Sequence, residues 1–247
     1  MFMDASNIRQ KSSEFQSPVL EVIKNRRSRR AYSDRPVEHA HIQSLFEAAR
    51  WAPSSVNEQP WLYVYATRQQ QPELWNRVFD ALNDGNKIWV RLVPLLIASF
   101  VRTNFARNDR PNSSARYDLG AANAFLSLQA THVGLNVHQM GGFDPERLRA
   151  NLNVPPAFDP VVIMAIGYPG DAGVLPENLK VRELAPRERY LQNEFVRNQS
   201  FLPQSTRDRE RCLRLQCQRN TEPHLSAFIF FAVDKHFTAI ELDEFLA

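Results

Sequence analysis

The stretch Arg26-Arg27-Ser28-Arg29-Arg30 places four guanidinium groups and one hydroxyl within five consecutive residues. A guanidinium group presents a planar fork of N–H donors that fits a phosphate two bonds at a time, and it stays charged at any working pH. A helix is expected to begin at Ser17-Pro18 and to end at this stretch, where its dipole would favour cations even without a ligand. The stretch therefore indicates either an anion site or a solvated basic face, although the dipole does not explain why Ser28 lies in its middle.

A second polar segment, Ala52-Pro53-Ser54-Ser55-Val56-Asn57-Glu58-Gln59-Pro60-Trp61, follows a helix that is expected over about residues 37–51. The segment is a rigid turn in which Ser54, Ser55 and Asn57 supply short hydrogen-bonding side chains. Taken alone, such a segment is usually only a turn. The apolar, aromatic-rich run over residues 61–66 that comes next predicts a buried strand.

The same patterns continue along the chain and predict a series of helices and strands. Buried strands are expected at residues 94–101 and 160–166, and helices are expected around residues 74–82, over about 115–137 and after Asp144-Pro145. Asn83-Asp84-Gly85 is expected to close the first of these helices. This order supports α and β elements with mostly buried strands.

The helix expected at 115–137 carries a stripe of small residues beside its apolar stripe. The small residues are Gly120, Ala121, Ala124 and Ser127. Small side chains let another helix approach closely, so this helix fits either the centre of a dimer or the middle of a large monomer.

Composition limits the kinds of partner. A chain of 247 residues with a hydrophobic fraction of 43% suits one large domain, or one domain with an extension. The net charge of +3 is mild and is concentrated in residues 24–35, so no nucleic-acid partner is expected. No apolar run reaches the length of a membrane span, and residues 1–16 lack the apolar stretch of a secretory signal. We therefore expect a soluble, cytoplasmic protein without a membrane partner.

Several common sites lack a signal in the sequence. Cys212 and Cys217 imply no disulfide framework and are a weak zinc signal without a second ligand pair. The spacing of His132 and His138 does not match paired helical ligands, so no metal is expected. The chain has no Gly-x-Gly-x-x-Gly motif after a strand, which argues against a dinucleotide site of that type.

Two later segments join the first two: His138-Gln139-Met140-Gly141-Gly142-Phe143-Asp144 and Pro186-Arg187-Glu188-Arg189. In this order and with these elements between them, the four segments resemble the FMN-dependent nitroreductase family over roughly residues 19–196. The resemblance implies an α+β fold, a nitroreductase-like mixed α/β sandwich in which helices flank a central sheet, and an intertwined homodimer. It also implies an N-terminal extension at 1–16, an FMN-binding domain at 17–198 and a tail of unknown role at 199–247.

The resemblance assigns roles to individual residues. It places Arg26, Arg27, Ser28, Arg187 and Arg189 at the FMN phosphate, Arg30 and Asn86 at the pyrimidine end of the flavin, Met140, Gly141 and Gly142 beside the ring, and Pro53, Ser54, Ser55 and Asn57 against the flavin of the partner subunit. The backbone N–H of Gly141 is the expected partner of flavin N5. Because the flavin carries the chemistry, no catalytic side chain is expected.

The implied activity moves hydride from NAD(P)H through flavin N5 to a flat acceptor, a nitroaromatic or a quinone, by a ping-pong mechanism. Two alternatives remain open. One is a non-catalytic FMN- or nucleotide-binding protein on the same scaffold, since the chain departs from the family's pattern after Phe195-Val196-Arg197-Asn198. The other is a flavin dehalogenase or dehydrogenase of the same fold.

Overall fold

The computed structural model describes residues 10–198. The chain divides into two compact units, Met1–Leu191 and Gln192–Ala247, and each is described by itself. In the second unit, residues 192–198 include one 3-10 turn, Gln192–Glu194. The expected tail at 199–247, with Cys212 and Cys217, lies outside the described residues.

The first unit is built on a four-stranded antiparallel sheet with the order β2-β3-β5-β4. Its strands are β2 (Trp61–Thr67), β3 (Leu95–Arg102), β4 (Asn136–Met140) and β5 (Phe158–Gly167). The predicted strands at 61–66, 94–101 and 160–166 are confirmed as β2, β3 and β5. A short sheet pairs β1 (Lys11–Ser12) with β6 (Arg189–Tyr190).

Seven helices surround this sheet in the described part of the chain. They are α1 (Glu21–Asn25), α2 (His39–Arg50), α3 (Pro72–Asp80), α4 (Asp84–Val90), α5 (Ala115–His132), α6 (Pro145–Leu152) and α7 (Glu177–Leu184). The predicted cap at α6 is confirmed, because the Asp144 carboxylate accepts the backbone N–H groups of Glu146 and Arg147 at 3.0 Å.

Alternate residues of the central strand β3 face two separate cores. Leu95 and Ile97 pack in a cluster with α2 and α5, while Leu96 and Phe100 pack in a cluster with α3, α4 and α6. Successive side chains of a strand point to opposite faces, so an uninterrupted apolar strand requires a helical layer on each side. The predicted α+β sandwich with a central sheet flanked by helices is therefore confirmed.

Some expected boundaries are wrong. Helix α5 ends at His132 instead of about 137, because Gly134 turns the chain with a left-handed φ of 79°. Residues 136–140, expected as helix end and loop, form strand β4 on the edge of the sheet. Helix α1 begins at Glu21 and has Leu20 at its N-cap, so Ser17-Pro18 does not start it. Helices α4 and α7 were not predicted.

Candidate functional site

A cleft of about 400 Å³ opens between the basic segment Arg26–Arg30, helix α5 and strand β4. Its lining consists of Arg26, Ser28, Ala124, Ser127, Leu128, Val137 and Gln139. The Arg26 guanidinium donates to the Ser28 hydroxyl over 3.4 Å, and the Gln139 amide donates to the Ser127 hydroxyl over 3.2 Å. The cleft thus combines a cation and a hydroxyl at one side with mostly apolar walls on α5 and β4.

Four arginines from distant parts of the chain meet beside this cleft. Burial, and then the charge of Arg189, lower the pKa of Arg26. Burial, followed by Arg26, Arg189 and Arg27, lowers the pKa of Arg187. Within residues 10–198, none of these four arginines forms an ion pair with a carboxylate. Uncompensated cations that disfavour one another's charge are suited to bind an anion such as a phosphate.

Three of the predicted phosphate ligands direct a guanidinium group at backbone carbonyls: Arg189 bonds its neighbour Glu188 at 2.7 Å, whereas Arg27 and Arg187 bond distant segments. Arg27 donates to the carbonyl oxygens of Ala185, at 2.6 Å, and of Glu183, at 3.4 Å. Arg187 donates to the carbonyl oxygens of Lys24, at 2.9 Å, and of Arg26. The basic segment and the return segment Glu183–Arg189 are therefore joined by bonds in both directions.

Glu183 also belongs to this region, although none of the sequence motifs predicts it. It is only 4% exposed on α7, and its Oε2 accepts the backbone N–H of Arg30 at 2.9 Å. Its Oε1 lies 3.6 Å from the Arg29 guanidinium. The helical spacing of Leu175, Leu179 and Glu183, all buried, was the available signal. A buried carboxylate is costly unless it is paired, and within the described residues Oε1 is compensated by the Arg29 charge without a hydrogen bond.

His138 connects strand β4 to the basic segment. Its Nδ1–H donates to the Arg29 carbonyl at 2.8 Å, and its ring centroid lies 4.8 Å from that of Trp89. Burial is the main cause that lowers the pKa of His138 to about 4, and the charges of Arg30 and Arg182 act in the same direction. His138 is therefore neutral near pH 7 and acts as a hydrogen-bond donor in this position.

The glycine loop that follows β4 is built around two different glycines. The Gly142 carbonyl accepts from the side chain of Asn86 at 2.9 Å and from the backbone of Asn83 at 3.1 Å. A Cβ at Gly142 would lie 2.5 Å from Asn83 Nδ2, whereas one at Gly141 would have no neighbour within 4 Å. The Met140 side chain is buried in the core. Gly142 is therefore fixed by packing, while Gly141 leaves room for a flat group to approach the backbone.

The predicted turn at Pro53–Asn57 lies elsewhere on the same protomer. The Ser54 hydroxyl accepts the backbone N–H of Gln59 at 3.0 Å, and the backbone N–H of Ser55 donates to the buried carboxylate of Asp118 at 3.1 Å. Asp118 lies in the first turn of α5, and Ser127 of the cleft lies toward the other end, about 13 Å further along the helix. The structure therefore brings the arginine and glycine segments to one region and the turn to the other end of α5.

Among residues 10–198, no three His, Cys, Asp or Glu side chains come together in a way that could hold a metal ion. None of the described helices is both long and apolar enough to cross a membrane.

Comparison with known proteins gives three findings. A model described as the nitroreductase family matches residues 23–168. The FMN reductase [NAD(P)H] of Bacillus subtilis (strain 168) is 26% identical over 190 residues, which cover 70% of this chain and 74% of the relative. Two solved structures are similar in fold. One, described as an oxidoreductase containing FMN, has a TM-score of 0.72 and 30% identity and covers 82% of this chain and 100% of its own. The other, a nitroreductase family protein from Clostridium difficile 630, has a TM-score of 0.58 and 24% identity. It covers 75% of this chain and 100% of the other chain.

Proposed function

Since this chain belongs to the nitroreductase family, we propose that it is an FMN-dependent oxidoreductase that takes hydride from NAD(P)H and delivers it to a flat acceptor, a nitroaromatic or a quinone. The relatives described as an FMN reductase and as an oxidoreductase containing FMN support this cofactor. The observation that carries the proposal is the cluster of Arg26, Arg27, Arg187 and Arg189, cations without a carboxylate partner among residues 10–198, beside a cleft with apolar walls.

The residues present fit the two ends of an FMN molecule. Arg26 and Ser28, with the nearby Arg189, offer donors and charge for the phosphate. The open approach to Gly141 suits the edge of a flat ring, because no atom lies where its Cβ would be. Arg30 would add positive charge at the pyrimidine end, which favours the reduced, anionic form of a flavin.

FMN, when bound, supplies the redox chemistry by accepting hydride from NAD(P)H and passing it to the second substrate in a ping-pong cycle. The chain binds and orients the reactants. Asn86 and Asn83 hold the Gly142 carbonyl, and this fixes the backbone at Gly141. His138 stays neutral and holds β4 against the basic segment, so it offers no proton at neutral pH.

We further propose that the enzyme is a homodimer in which the turn Pro53–Asn57 of one protomer completes the site of its partner. One side of α5 is exposed in the single chain, with Tyr117 83% exposed and open space beside Gly120. The same helix separates the turn from the cleft of its own protomer. A second copy packed on this face of α5 would cover it and would bring a turn toward the cleft.

A mixed dimer tests this arrangement. Arg26→Met damages the cleft, and Asn57→Ala damages the turn. If the turn acts on the partner, a dimer of the two variants contains one undamaged site, and purified mixed dimers bind about half the FMN of the unchanged protein. If no site is recovered in the mixed dimer, the turn does not serve the partner. A stable flavin-loaded monomer in sedimentation contradicts the dimer itself.

The activity is tested by the visible absorption spectrum of the purified protein before and after anaerobic addition of NADPH. We expect a flavin spectrum that bleaches with NADPH and returns when a quinone or nitroaromatic is added. A protein that stays colourless after addition of FMN contradicts the proposal. A flavin spectrum that persists with both NADH and NADPH instead favours a non-catalytic flavin-binding protein.

A further inference from the structure

Arg187 contacts the end of a helix. Helix α1 is five residues long, and carbonyl groups in its last turn lack partners within the helix. Arg187 Nη2 donates to the Lys24 carbonyl at 2.9 Å, while Nη1 donates to the Arg26 carbonyl and lies 3.5 Å from that of Ile23. A cation is also favoured at the negative end of the helix dipole. Both terminal nitrogens of Arg187 are thus directed at backbone carbonyls.

Arg27 makes the reciprocal contact at the end of α7. Its Nη2 donates to the carbonyls of Ala185 and Glu183, where α7 stops. Arg27, just after α1, therefore binds the end of α7, and Arg187, just after α7, binds the end of α1. The carboxylate of Glu183 adds a third link by accepting the backbone N–H of Arg30.

Arg26 and Ser28 differ from these two arginines. Both line the cleft, whereas Arg27 and Arg187 do not. The Arg26 guanidinium donates to the Ser28 hydroxyl over a long 3.4 Å, so most of its N–H donors are available to a ligand. Arg189 does not line the cleft, but it is exposed, and its charge acts on Arg26. Within residues 10–198, its Nη1 donates only to the adjacent Glu188 carbonyl, at 2.7 Å, so its remaining N–H donors are available to a ligand beside Arg26.

We infer that Arg27 and Arg187 are positioning residues, and that Arg26, Ser28 and Arg189 contact the phosphate. The inference rests on the proposed FMN site and divides its arginines into two groups with different tasks. The interlock of Arg27, Arg187 and Glu183 holds the basic segment in one conformation. That segment carries Arg26 and Ser28 for the phosphate, Arg30 for the ring end, and the Arg29 carbonyl that anchors His138.

The experiment compares FMN with riboflavin, which has the same ring but no phosphate. Dissociation constants are measured by flavin fluorescence quenching for the unchanged protein, Arg26→Met and Arg187→Met. For Arg26→Met we expect FMN to bind about tenfold or more weakly, the loss of a charge-assisted bond, while riboflavin binding stays the same. For Arg187→Met we expect both flavins to bind roughly tenfold more weakly, because the whole segment loses its support.

Two outcomes for Arg187→Met overturn the inference. A loss confined to FMN makes Arg187 a direct phosphate ligand. Unchanged affinity for both flavins, in a protein that only melts at a lower temperature, makes Arg187 a structural residue without influence on the site. If neither flavin binds the unchanged protein, the proposed function fails instead, so the two failures are distinguishable.

The midpoint potential of bound FMN gives a second readout that does not depend on riboflavin affinity. At saturating FMN, Arg187→Met is expected to lower the potential, because a displaced Arg30 no longer favours the reduced flavin. Arg26→Met is expected to leave the potential unchanged. Equal potentials in all three proteins contradict the positioning role.

Arg147→Met is the matched control, since Arg147 lies on α6 and pairs with Asp80 at 3.8 Å, away from both segments. It removes the same charge and is expected to change neither affinity. If Arg187→Met does not fold, Arg27→Met tests the same interlock from the other side, and the same outcomes decide.

Discussion

The two halves of the candidate site are held in opposite ways. The arginine half, formed by the basic segment Arg26–Arg30 and the return segment Glu183–Arg189, is held by guanidinium and carboxylate groups bound to backbone atoms about 160 positions away. The glycine half, formed by Asn83–Asn86 and Met140–Phe143, is held by the absence of a side chain at Gly142, which lets two asparagines close over the loop.

The difference shows which kind of change each half tolerates. The arginine half is partly exposed and is joined by hydrogen bonds. It therefore depends on hydrogen-bond donors and acceptors more than on the volume of its side chains. The glycine half depends on side-chain volume, because the amides of Asn83 and Asn86 occupy the space that a Cβ at Gly142 would need. His138 joins the two, since it lies on β4 beside the glycine loop and donates to the carbonyl of Arg29.

The largest loss of stability in the arginine half is expected from Glu183→Ala. The change removes the acceptor of the Arg30 N–H and the partner of Arg29 at a buried position, and breaking a buried pair costs about 3–5 kcal/mol. We expect the lower end, about 3 kcal/mol, because the Arg29 side chain is 35% exposed and water can solvate its charge. Urea unfolding measures the free energy.

Glu183→Gln is the control, since its amide oxygen can still accept from Arg30. It is expected to recover part of the stability. If Glu183→Ala unfolds at the same urea concentration as the unchanged protein, the carboxylate does not hold the two segments together.

The glycine half is expected to break with Gly142→Ala. The new Cβ would lie 2.5 Å from Asn83 Nδ2 and 2.8 Å from Asn86 Nδ2. Both amides must move, and Asn86 loses its bond to the Gly142 carbonyl, so we expect a cost of about 2–3 kcal/mol. Thermal melting of the protein without added flavin measures this cost, and an unchanged melting temperature would show that the asparagines rearrange freely.

The link between the halves is tested by pH. The pKa of His138 is lowered to about 4 in the folded chain, whereas an unfolded histidine titrates near 6.5. Between these values the unfolded chain binds a proton that the folded chain does not. The contribution of His138 to the free energy of unfolding therefore rises with pH across this window. It is fully present above pH 6.5 and is lost toward pH 4, by on the order of 2 kcal/mol.

His138→Asn keeps a donor for the Arg29 carbonyl but cannot titrate. Urea unfolding between pH 4 and 7 should show a smaller slope in this variant than in the unchanged protein. Equal slopes would assign the pH dependence to other groups.

The smallest effect on stability is expected from Gly141→Ala, which sharpens the comparison with its neighbour. No atom lies within 4 Å of the new Cβ, so the free energy of unfolding should change by less than about 0.5 kcal/mol. The methyl group would occupy the open approach to the loop, so FMN binding should weaken although the fold does not. If Gly141→Ala melts as low as Gly142→Ala, the two glycines do not have different roles.

The sequence predicts the elements with strong periodicity or continuous apolar runs. Strands β2, β3 and β5 and helices α2 and α3 follow from such patterns. Helix α4 was missed because Asn83 has two roles. It follows the last turn of α3, and its side chain also accepts the N–H of Asn86 as the N-cap of α4. A capping residue read as a stop signal can equally be a start signal.

Strand β4 was missed because residues 133 and 137 continue the apolar spacing of α5. The left-handed Gly134 breaks the helix between them, and the edge position of β4 depends on pairing with β5, which no local pattern shows. The partners of Arg27 and Arg187 could not be predicted from the sequence either. They are backbone carbonyls, which every residue has, so no residue type marks them.

The small sheet of β1 and β6 has a practical consequence for anyone who shortens this chain. Ser12 pairs with Arg189, and the Leu191 N–H donates to the Gln10 carbonyl at 3.0 Å. A version that starts at residue 17, where the sequence suggests that the domain begins, would lose the strand that lies beside Arg189 in the described part of the protein. Weak flavin binding by such a shortened version would then reflect where it was cut, and affinity tags are better separated from residue 10 by a linker.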